Sequence, residues 1–230
     1  MSIVAIVPAR AGSKGIPGKN IKPLCGQPLL AYTAEVIRSA GIFDYALLST
    51  DSEETAAIGH ASGLETPFLR PPELARDDTP MLAVIEHALD WLEAHGHALE
   101  IVVLLQPTQP LRTADDVVHA VSLLNEERCD SVVSVVALPS HMSPDYVMRI
   151  EEDRRLVNFL PEGARMARRQ DVRPAYVRDG TVYAFRAVTL RNHGSIYGPT
   201  CLPLVVAPTR SVNLDSQEDW REAERRLGCA

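Results

Sequence analysis

Short apolar runs alternate with longer amphipathic segments along most of the chain. The apolar runs have the length of strands and are rich in Val, Ile, Leu and Ala, whereas the segments between them space their apolar residues as helices do. Strands are predicted at residues 3–8, 45–50, 100–106, 131–137, 180–185 and 202–206. Helices are predicted at residues 29–40, 53–62, 80–96, 115–127 and 217–228. This alternation predicts an α/β fold with a Rossmann-like, mainly parallel sheet covered by helices.

The region 140–174 departs from this alternation. It opens with a proline-containing stretch, continues through a charged turn at 151–155 and carries a basic cluster of Arg165, Arg168 and Arg169. We interpret it as an insertion or arm within one domain that spans residues 1–230. The length of 230 residues is near the upper size of a single α/β domain.

The formal net charge of −7 argues against general binding to nucleic acids or anionic membranes, because those surfaces attract a basic excess. No apolar stretch approaches the roughly 20 residues that span a bilayer. Met1 leads directly into the first strand without a signal-peptide pattern. We therefore expect a cytoplasmic protein with no nucleic-acid or membrane partner.

The four cysteines, Cys25, Cys129, Cys201 and Cys229, lie far apart and lack the spacing of a metal or redox motif. Neither a zinc site nor a disulfide framework is indicated. We expect all four to be small core or surface residues. The seven histidines are scattered as well.

The first predicted strand runs into a loop rich in glycines and cations. Three glycines recur at every third position with three cations among them: Gly12, Gly15, Gly18, Arg10, Lys14 and Lys19. Backbone amides and positive charge in such a loop suit a polyphosphate, yet the spacing matches neither the P-loop nor the dinucleotide fingerprint. The loop predicts a cradle for the triphosphate of a reacting nucleotide; the alternative is a surface turn with solvated lysines.

Two further strand ends carry polar residues. Ser49-Thr50-Asp51 closes the second long strand, and Gln106-Pro107-Thr108-Gln109-Pro110-Leu111-Arg112 follows the third. Because the carboxyl ends of parallel strands meet at one edge, these segments and the first loop outline one crevice. The amide of Gln106 suits a base edge, whereas Arg112 is also consistent with a structural ion pair.

Asn213 and Asp215 stand two residues apart on an extended segment and therefore point to the same side. Oxygen ligands so placed suit Mg²⁺, which binds through one or two protein groups together with substrate phosphates. The alternative is that this segment is only the N-cap of the final helix.

Several short motifs follow one another from residue 3 to about residue 225. They are Ala9-Arg10, Ser13-Lys14-Gly15, Lys19-Asn20, Ser49-Thr50-Asp51, Arg70-Pro71, Asp78-Thr79, Gln106-Pro107-Thr108, Pro110-Leu111-Arg112, Arg168-Arg169-Gln170-Asp171, and Gly180 with Tyr183. In type and order they resemble the CMP-sialic acid synthetase family, the acylneuraminate cytidylyltransferases, which activate nonulosonic acids with CTP. The resemblance implies a sheet of the nucleotide-diphospho-sugar transferase type with a small dimerisation arm at 140–174.

The resemblance also implies roles for individual residues. The CTP-binding set is Ala9, Arg10, Gly12, Ser13, Lys14, Lys19, Asn20, Arg70, Asp78 and Thr79, with Arg70 and the Asp78-Thr79 region beside the cytosine. The acceptor-binding set is Gln106, Thr108, Arg169, Gln170 and Tyr183, with Arg169 supplied by the arm of the partner subunit in a homodimer. Mg²⁺ would bind Asp215 and Asn213, and the catalytic set is Arg10, Lys14, Lys19 and Asp215.

The chain departs from the family pattern in three places. Asn213 replaces a common aspartate, the stretch 140–146 lacks a lysine, and Val177 and Asp179 replace an arginine and an asparagine of some relatives. The nucleotide side is intact, so we expect Mg²⁺-dependent transfer of CMP from CTP to a nonulosonic, sialic-acid-like acceptor, with release of pyrophosphate. Because two departures lie on the acceptor side, the alternative acceptor is a different 3-deoxy-ulosonic acid, a small phosphonate or a carboxylic acid.

Two other functions are weighed against this one. A sugar nucleotidyltransferase that uses UTP or GTP usually has a differently spaced glycine-rich opening. A catalytically silent, nucleotide-binding regulatory protein would have lost metal competence at Asn213. Against this, the chain keeps Arg10, Lys14, Lys19 and Asp215.

Overall fold

The computed structural model describes residues 2–13, 15–161 and 172–229. The strands in chain order are β1 (Ile3–Pro8), β2 (Pro23–Leu24), β3 (Gln27–Pro28), β4 (Tyr45–Ser49), β5 (Ile101–Leu104), β6 (Ser131–Ala137), β7 (Met148–Ile150), β8 (Leu156–Asn158), β9 (Tyr176–Arg186) and β10 (Cys201–Val205). The helices are α1 (Leu29–Ala40), α2 (Glu53–Ala61), α3 (Met81–Ala94), α4 (Ala114–Glu126), α5 (Ala187–His193) and α6 (Gln217–Leu227).

The centre of the fold is a six-stranded sheet with the spatial order β10-β6-β9-β5-β1-β4. β1 pairs in parallel with both β4 and β5, and β10 pairs in parallel with β6. β9 lies between β5 and β6 and is antiparallel to both. The predicted fold class, an α/β fold with a mainly parallel sheet, is confirmed.

Apolar layers cover both faces of the sheet. All six residues of β1 are buried, and they alternate between the two faces. Ala5 and Val7 join the layer that contains residues of α1 and α4, whereas Val4 and Ile6 join the layer that contains residues of α3 and α5. Burial on both faces explains why the strands read as continuous apolar runs instead of alternating ones.

The predicted boundaries of several elements match the observed ones. β1, β6 and α1 begin and end where the sequence pattern places them. Helix α4, predicted to begin at residue 115, begins at Ala114 with Thr113 as its N-cap. The Thr113 hydroxyl accepts from the backbone N–H of Asp116 at 3.2 Å, and the Asp116 carboxylate accepts from the Thr113 N–H at 3.0 Å. This reciprocal capping box fixes the first turn of α4.

Other elements were not predicted. β9 begins at Tyr176, four residues earlier than expected, and helix α5 follows it directly. Two short hairpins, β2–β3 and β7–β8, also lie outside the predicted strands. These hairpins consist of two or three residues per strand, which is too short to produce a recognisable period.

A third apolar cluster lies beside the main sheet and joins the first loop to the C-terminal part of the chain. It contains Ile16, Leu24, Leu29, Val212, Leu214, Trp220 and Ala223. Ile16 comes from the glycine-rich loop, Val212 and Leu214 come from the segment before α6, and Trp220 comes from α6 itself. The cluster therefore fixes the glycine-rich loop against residues that are about 200 positions away in the sequence.

The expectation that no cysteine takes part in a disulfide is wrong. Cys25 and Cys229 form a disulfide with a Cα–Cα distance of 5.6 Å. Cys25 lies in the β2–β3 turn, and Cys229 follows α6, so the packing of α6 on the hairpin brings them together. Their separation of 204 residues gives no spacing signal in the sequence. Cys129 is buried and Cys201 is exposed, and both are free thiols as expected.

The region 140–174 is described up to residue 161 and again from 172. Its β7–β8 hairpin is separate from the central sheet and exposes apolar side chains such as Ile150 and Leu156. Its role as a dimerisation arm stays a prediction. Within the described parts of the chain, no helix has the length and apolarity needed to cross a bilayer.

Candidate active site

A pocket of about 190 Å³ lies at the carboxyl edge of the sheet, above the ends of β1 and β5. It is lined by Pro8, Arg10, Gly12, Ser13, Lys19, Asn20, Arg70, Met81, Gln106, Pro107 and Thr108. The structure thus brings the glycine-rich loop and the Gln106 loop together, as the position of the strand ends predicts. A larger cavity of about 640 Å³ lies between the ends of α1 and α2 and the start of β4. That cavity contains none of the predicted site residues.

The start of the glycine-rich loop is held by backbone and side-chain hydrogen bonds. The Ala9 N–H donates to the Ser49 carbonyl at 2.9 Å, and the Ala11 N–H donates to the Asp51 carboxylate at 2.8 Å. The Asn20 amide donates to the Arg10 carbonyl at 2.9 Å. Asn20 and Asp51 therefore fix the path of the loop across the end of the sheet.

Lys19 reaches from the loop to the segment that precedes α6. Its Nζ donates to the Leu214 carbonyl at 2.5 Å and lies 3.3 Å from an Asp215 carboxylate oxygen. The Lys19 side chain is only 12% exposed. Its charge is thus held at one wall of the pocket, where a phosphate oxygen would meet a partly desolvated cation.

Arg10 lies on the same wall and pairs with a carboxylate of the loop between Arg70 and α3. The distance from Arg10 Nη1 to Asp77 Oδ1 is 2.6 Å. Both side chains are partly exposed, so the pair is of the surface type, in which solvent screens much of the attraction. A phosphate that binds Arg10 would compete with Asp77.

Arg70 is buried, in contrast to Arg10. Its Nε donates to the Ser49 hydroxyl at 3.0 Å, and its Nη2 donates to the Ser49 carbonyl. Burial lowers the pKa of the Arg70 guanidinium to about 10; Asp51 opposes this effect and Arg10 adds to it. The group remains charged at neutral pH and contributes a fixed positive charge to the pocket wall.

The segment from 212 to 215 lies next to two loops that line the pocket, although the predicted metal ligands Asn213 and Asp215 are not themselves lining residues. The Leu214 N–H donates to the Thr108 carbonyl at 3.0 Å, which joins this segment to the Gln106 loop. Asn213 Nδ2 donates to Asp215 Oδ2 at 2.5 Å, so the two side chains meet as their spacing predicts. A Cβ at Gly15 would collide with the Asp215 carbonyl. Only glycine permits this close approach of the loop to the segment.

Arg112 is buried, and the groups to which it donates are carbonyls and a hydroxyl, not the carboxylate of an ion pair. Its guanidinium donates to the carbonyls of Gln106 and Thr181 and to the Thr33 hydroxyl. Burial lowers the pKa of Arg112 to about 10, and Asp179 and Asp116 oppose this effect. Arg112 thereby links the Gln106 loop to β9 and to α1.

Some predicted site residues lie away from this pocket. Asp78 is exposed, and the Thr79 hydroxyl donates to the Glu73 carbonyl at 3.1 Å; neither residue lines the pocket. Tyr183 packs against the apolar layer formed with α3 and α5, where burial raises its pKa. Lys14, Arg169 and Gln170 lie outside the described residues.

Two carboxylates at the site received no role from the sequence. Asp51 follows the end of β4, at the sheet edge where the glycine-rich loop also lies. A carboxylate directly after a strand end is therefore a sequence signal for a role at this site. Asp77 gives no such signal, because its contact with Arg10 depends on the path of a loop that contains several prolines.

The geometry described above suits a nucleoside triphosphate. Cations from two elements line one small pocket, and the carboxylate of Asp215 lies 3.3 Å from one of them, Lys19. In the described residues, no group of three or more His, Cys, Asp or Glu side chains is placed to hold a metal ion. A metal would therefore depend on Asp215, Asn213 and phosphate oxygens, a donor set that Mg²⁺ accepts.

Comparison with known proteins supports this interpretation. The cytidylyltransferase family model matches residues 4–200. The chain is 31% identical to CMP-N,N'-diacetyllegionaminic acid synthase of Legionella pneumophila, covering 99% of this chain and 97% of that protein. It is 29% identical to an N-acylneuraminate cytidylyltransferase of Escherichia coli. That match covers 96% of this chain and 51% of the other protein.

A solved structure of CMP:2-keto-3-deoxy-manno-octonic acid synthetase complexed with CTP has the same fold. The TM-score is 0.71 at 15% identity, and the match covers 99% of this chain and 98% of the other. The family match spans both the glycine-rich loop and the Gln106 loop that form the pocket. The chain belongs to the cytidylyltransferase family, as its motifs predict.

Proposed function

We propose that this protein transfers CMP from CTP to a nonulosonic acid and releases pyrophosphate. The observation that carries the proposal is the convergence of Arg10, Lys19 and Gln106 on one pocket in a member of the cytidylyltransferase family. The acceptor class is supported by two relatives whose names specify legionaminic and neuraminic acids.

In the proposed reaction, the anomeric hydroxyl of the acceptor attacks the α-phosphorus of CTP. The new bond joins that oxygen to phosphorus, the bond to the β-phosphate oxygen breaks in line with it, and the hydroxyl proton leaves to solvent. Positioning and charge neutralisation account for most of the acceleration in such a transfer. Arg10 and Lys19 would neutralise the triphosphate, while Gln106 would orient the acceptor.

The proposed cofactor is Mg²⁺, held by Asp215 and by the amide oxygen of Asn213. The Asp215 side chain is 67% exposed, so its carboxylate is accessible to a metal ion. When bound, the ion would neutralise phosphate charge and help to fix the triphosphate. Lys19 would hold the Asp215 carboxylate in place through the 3.3 Å contact.

We also propose a homodimer formed through the region 140–174. Its described part exposes Met142, Ile150, Leu156 and Phe159, each more than half exposed. Large apolar side chains exposed in one region of a chain favour burial against another protein surface. A second copy of this chain would cover them, and Arg169 would then approach the acceptor of the partner subunit.

The proposed location is the cytoplasm, where CTP is available as a substrate. The reducing conditions there oppose disulfides in general, so the Cys25–Cys229 bond would have to resist reduction. A different acidic acceptor, such as a 3-deoxy-ulosonic acid or a small phosphonate, remains the second candidate. Val177 and Asp179 favour it, because they replace acceptor-side residues of some relatives.

The function is tested by pyrophosphate release with each of the four nucleoside triphosphates. The acceptors are sialic, legionaminic, pseudaminic and octulosonic acids and small phosphonates, with and without Mg²⁺. We expect release only with CTP, Mg²⁺ and a nonulosonic acid. Release with a phosphonate alone would move the protein to the second candidate function, and silence with every acceptor despite CTP binding would contradict both.

Replacement of Lys19 by alanine should lower kcat about 10²-fold, because the substitution removes a partly buried cation from the triphosphate site. The control is Lys22→Ala. Lys22 lies three residues further on, with its Nζ 4.4 Å from the centroid of the Trp220 ring, and it does not line the pocket. Steady-state kinetics that give wild-type turnover for Lys19→Ala would exclude the proposed role of Lys19.

Replacement of Asp77 by asparagine should lower the KM for CTP about two- to fivefold. The substitution removes the carboxylate that competes with phosphate for Arg10, and an exposed ion pair of this kind contributes up to about 1 kcal/mol. Asp153→Asn is the matched control, because it breaks the exposed Asp153–Arg155 pair in the region 140–174. An unchanged or raised KM for CTP in Asp77→Asn would show that Asp77 does not compete.

Replacement of Ile150 by glutamate should convert the dimer to a monomer of 25.2 kDa, measured by light scattering after size exclusion. Ile150 is 75% exposed, so a charge there leaves the folded chain intact but opposes burial in an interface. The control is Val188→Glu, an exposed apolar position on α5. A wild-type protein that is itself monomeric would overturn the proposed assembly.

A further inference from the structure

β9 carries an irregularity close to the pocket. Its pairing with β6 shifts register between Val133, which pairs with Tyr183, and Val135, which pairs with Arg178. Residues 179–182 therefore stand opposite Ser134 alone. Extra residues of this kind bend a strand and often re-aim side chains beside an active site. This irregularity, residues 179–182, is here called the β9 bulge.

Three side chains, one on β6 and two on the loop that carries Gln106, hold the β9 bulge. The Val182 N–H donates to the Ser134 hydroxyl at 2.8 Å, and Arg112 donates to the Thr181 carbonyl. The third contact comes from Gln109, whose Nε2 donates to the Asp179 carbonyl. Gln109 and Arg112 both belong to the loop that also carries Gln106, so this loop and the bulge form one unit.

Gly180 shows how closely the loop and the bulge approach. Its φ is +82°, in the left-handed region that favours glycine. A Cβ at this position would lie 3.5 Å from Gln109 Nε2 and 3.6 Å from Gln106 Oε1. The two glutamines thus meet at the same backbone position, and Gln106 also lines the pocket. The two residues are also joined directly, because the Gln109 N–H donates to the Gln106 carbonyl at 3.4 Å. Movement of Gln109 would be transmitted to Gln106 through this bond.

The Gln109 side-chain amide makes one hydrogen bond within the described structure, through its Nε2. The residue is 1% exposed, and its Oε1 is a buried acceptor with no hydrogen-bond partner among the described residues. Burial of an unpaired oxygen destabilises the folded state. Leucine has a similar size and would avoid this cost. The amide therefore has a use other than stability, and its one observed contact is with the β9 bulge.

We propose that Gln109 is a positioning residue for the acceptor: its amide fixes the β9 bulge and Gln106 relative to each other and so sets the acceptor end of the pocket. This inference rests on the proposed function, because it assigns the acceptor to the side of Gln106. The nucleotide side is separate. Arg10, Lys19 and Arg70 make no hydrogen bond to Gln109 or to the bulge in the described structure.

The test compares the wild type with Gln109→Leu in steady-state assays in which CTP and the acceptor are varied separately. We expect kcat/KM for the acceptor to fall about tenfold, since small displacements of positioning groups cost rate. The KM for CTP should stay within about twofold, because the nucleotide side of the pocket is left intact. The Tm should change little, because loss of the unpaired oxygen offsets loss of the hydrogen bond.

Two further variants complete the design. Gly180→Ala strains the bulge itself, because alanine disfavours the left-handed φ of +82°. It should therefore also lower kcat/KM for the acceptor and spare the KM for CTP. Ser131→Ala is the control, because Ser131 is a buried hydroxyl that donates to the Tyr197 carbonyl at the opposite edge of the sheet. We expect it to lower the Tm without changing either substrate's kinetics.

The outcomes separate this inference from the proposed function. A wild type that transfers CMP to no acidic acceptor would overturn the proposed function, and the inference with it. With an active wild type, unchanged acceptor kinetics in both Gln109→Leu and Gly180→Ala would overturn the inference alone. Equal changes in the parameters for CTP and for the acceptor would also overturn it, because they would indicate a general structural role.

Discussion

The contact between the glycine-rich loop and the segment before α6 is the constraint on which the candidate site depends. Lys19 reaches the Leu214 carbonyl and the Asp215 carboxylate, and Gly15 lies directly against the Asp215 backbone. A loop with three cations would be mobile if only water surrounded it. Here the apolar cluster around Ile16 and Trp220 fixes it, and so the cations predicted to bind the triphosphate and the predicted metal ligands share one support.

The sequence was sufficient to predict most of the central sheet, because strands buried on both faces read as continuous apolar runs. The direction of β9 could not be predicted in this way. β6 ends at the carboxyl edge of the sheet, and β9 begins at the same edge after the region 140–174, so it runs antiparallel. An apolar run has no direction of its own. The Cys25–Cys229 disulfide was missed for a related reason, since only the packing of α6 brings its ends together.

The sequence predicts those residues of the candidate site that directly follow the ends of parallel strands. Arg10 and Gln106 follow β1 and β5, and parallel pairing alone brings their loops together. Contacts that depend on loop paths were not predictable. Asp77 meets Arg10 across a proline-rich loop, and Gln109 is buried although nothing in its type or neighbours distinguishes it from an exposed glutamine.

The asparagine at position 213 determines which interaction holds the Asp215 side chain in place. Its Nδ2 lies 2.5 Å from Asp215 Oδ2, so the amide donates a hydrogen bond to the carboxylate. An aspartate at the same place would put two like charges at hydrogen-bond distance and would need a cation between them. The asparagine–aspartate pair needs no cation between its two side chains, because they are joined by their own hydrogen bond. Lys19 then holds Asp215 from another side. A metal at this position would then act mainly on the substrate phosphates and contribute little to the order of the segment itself.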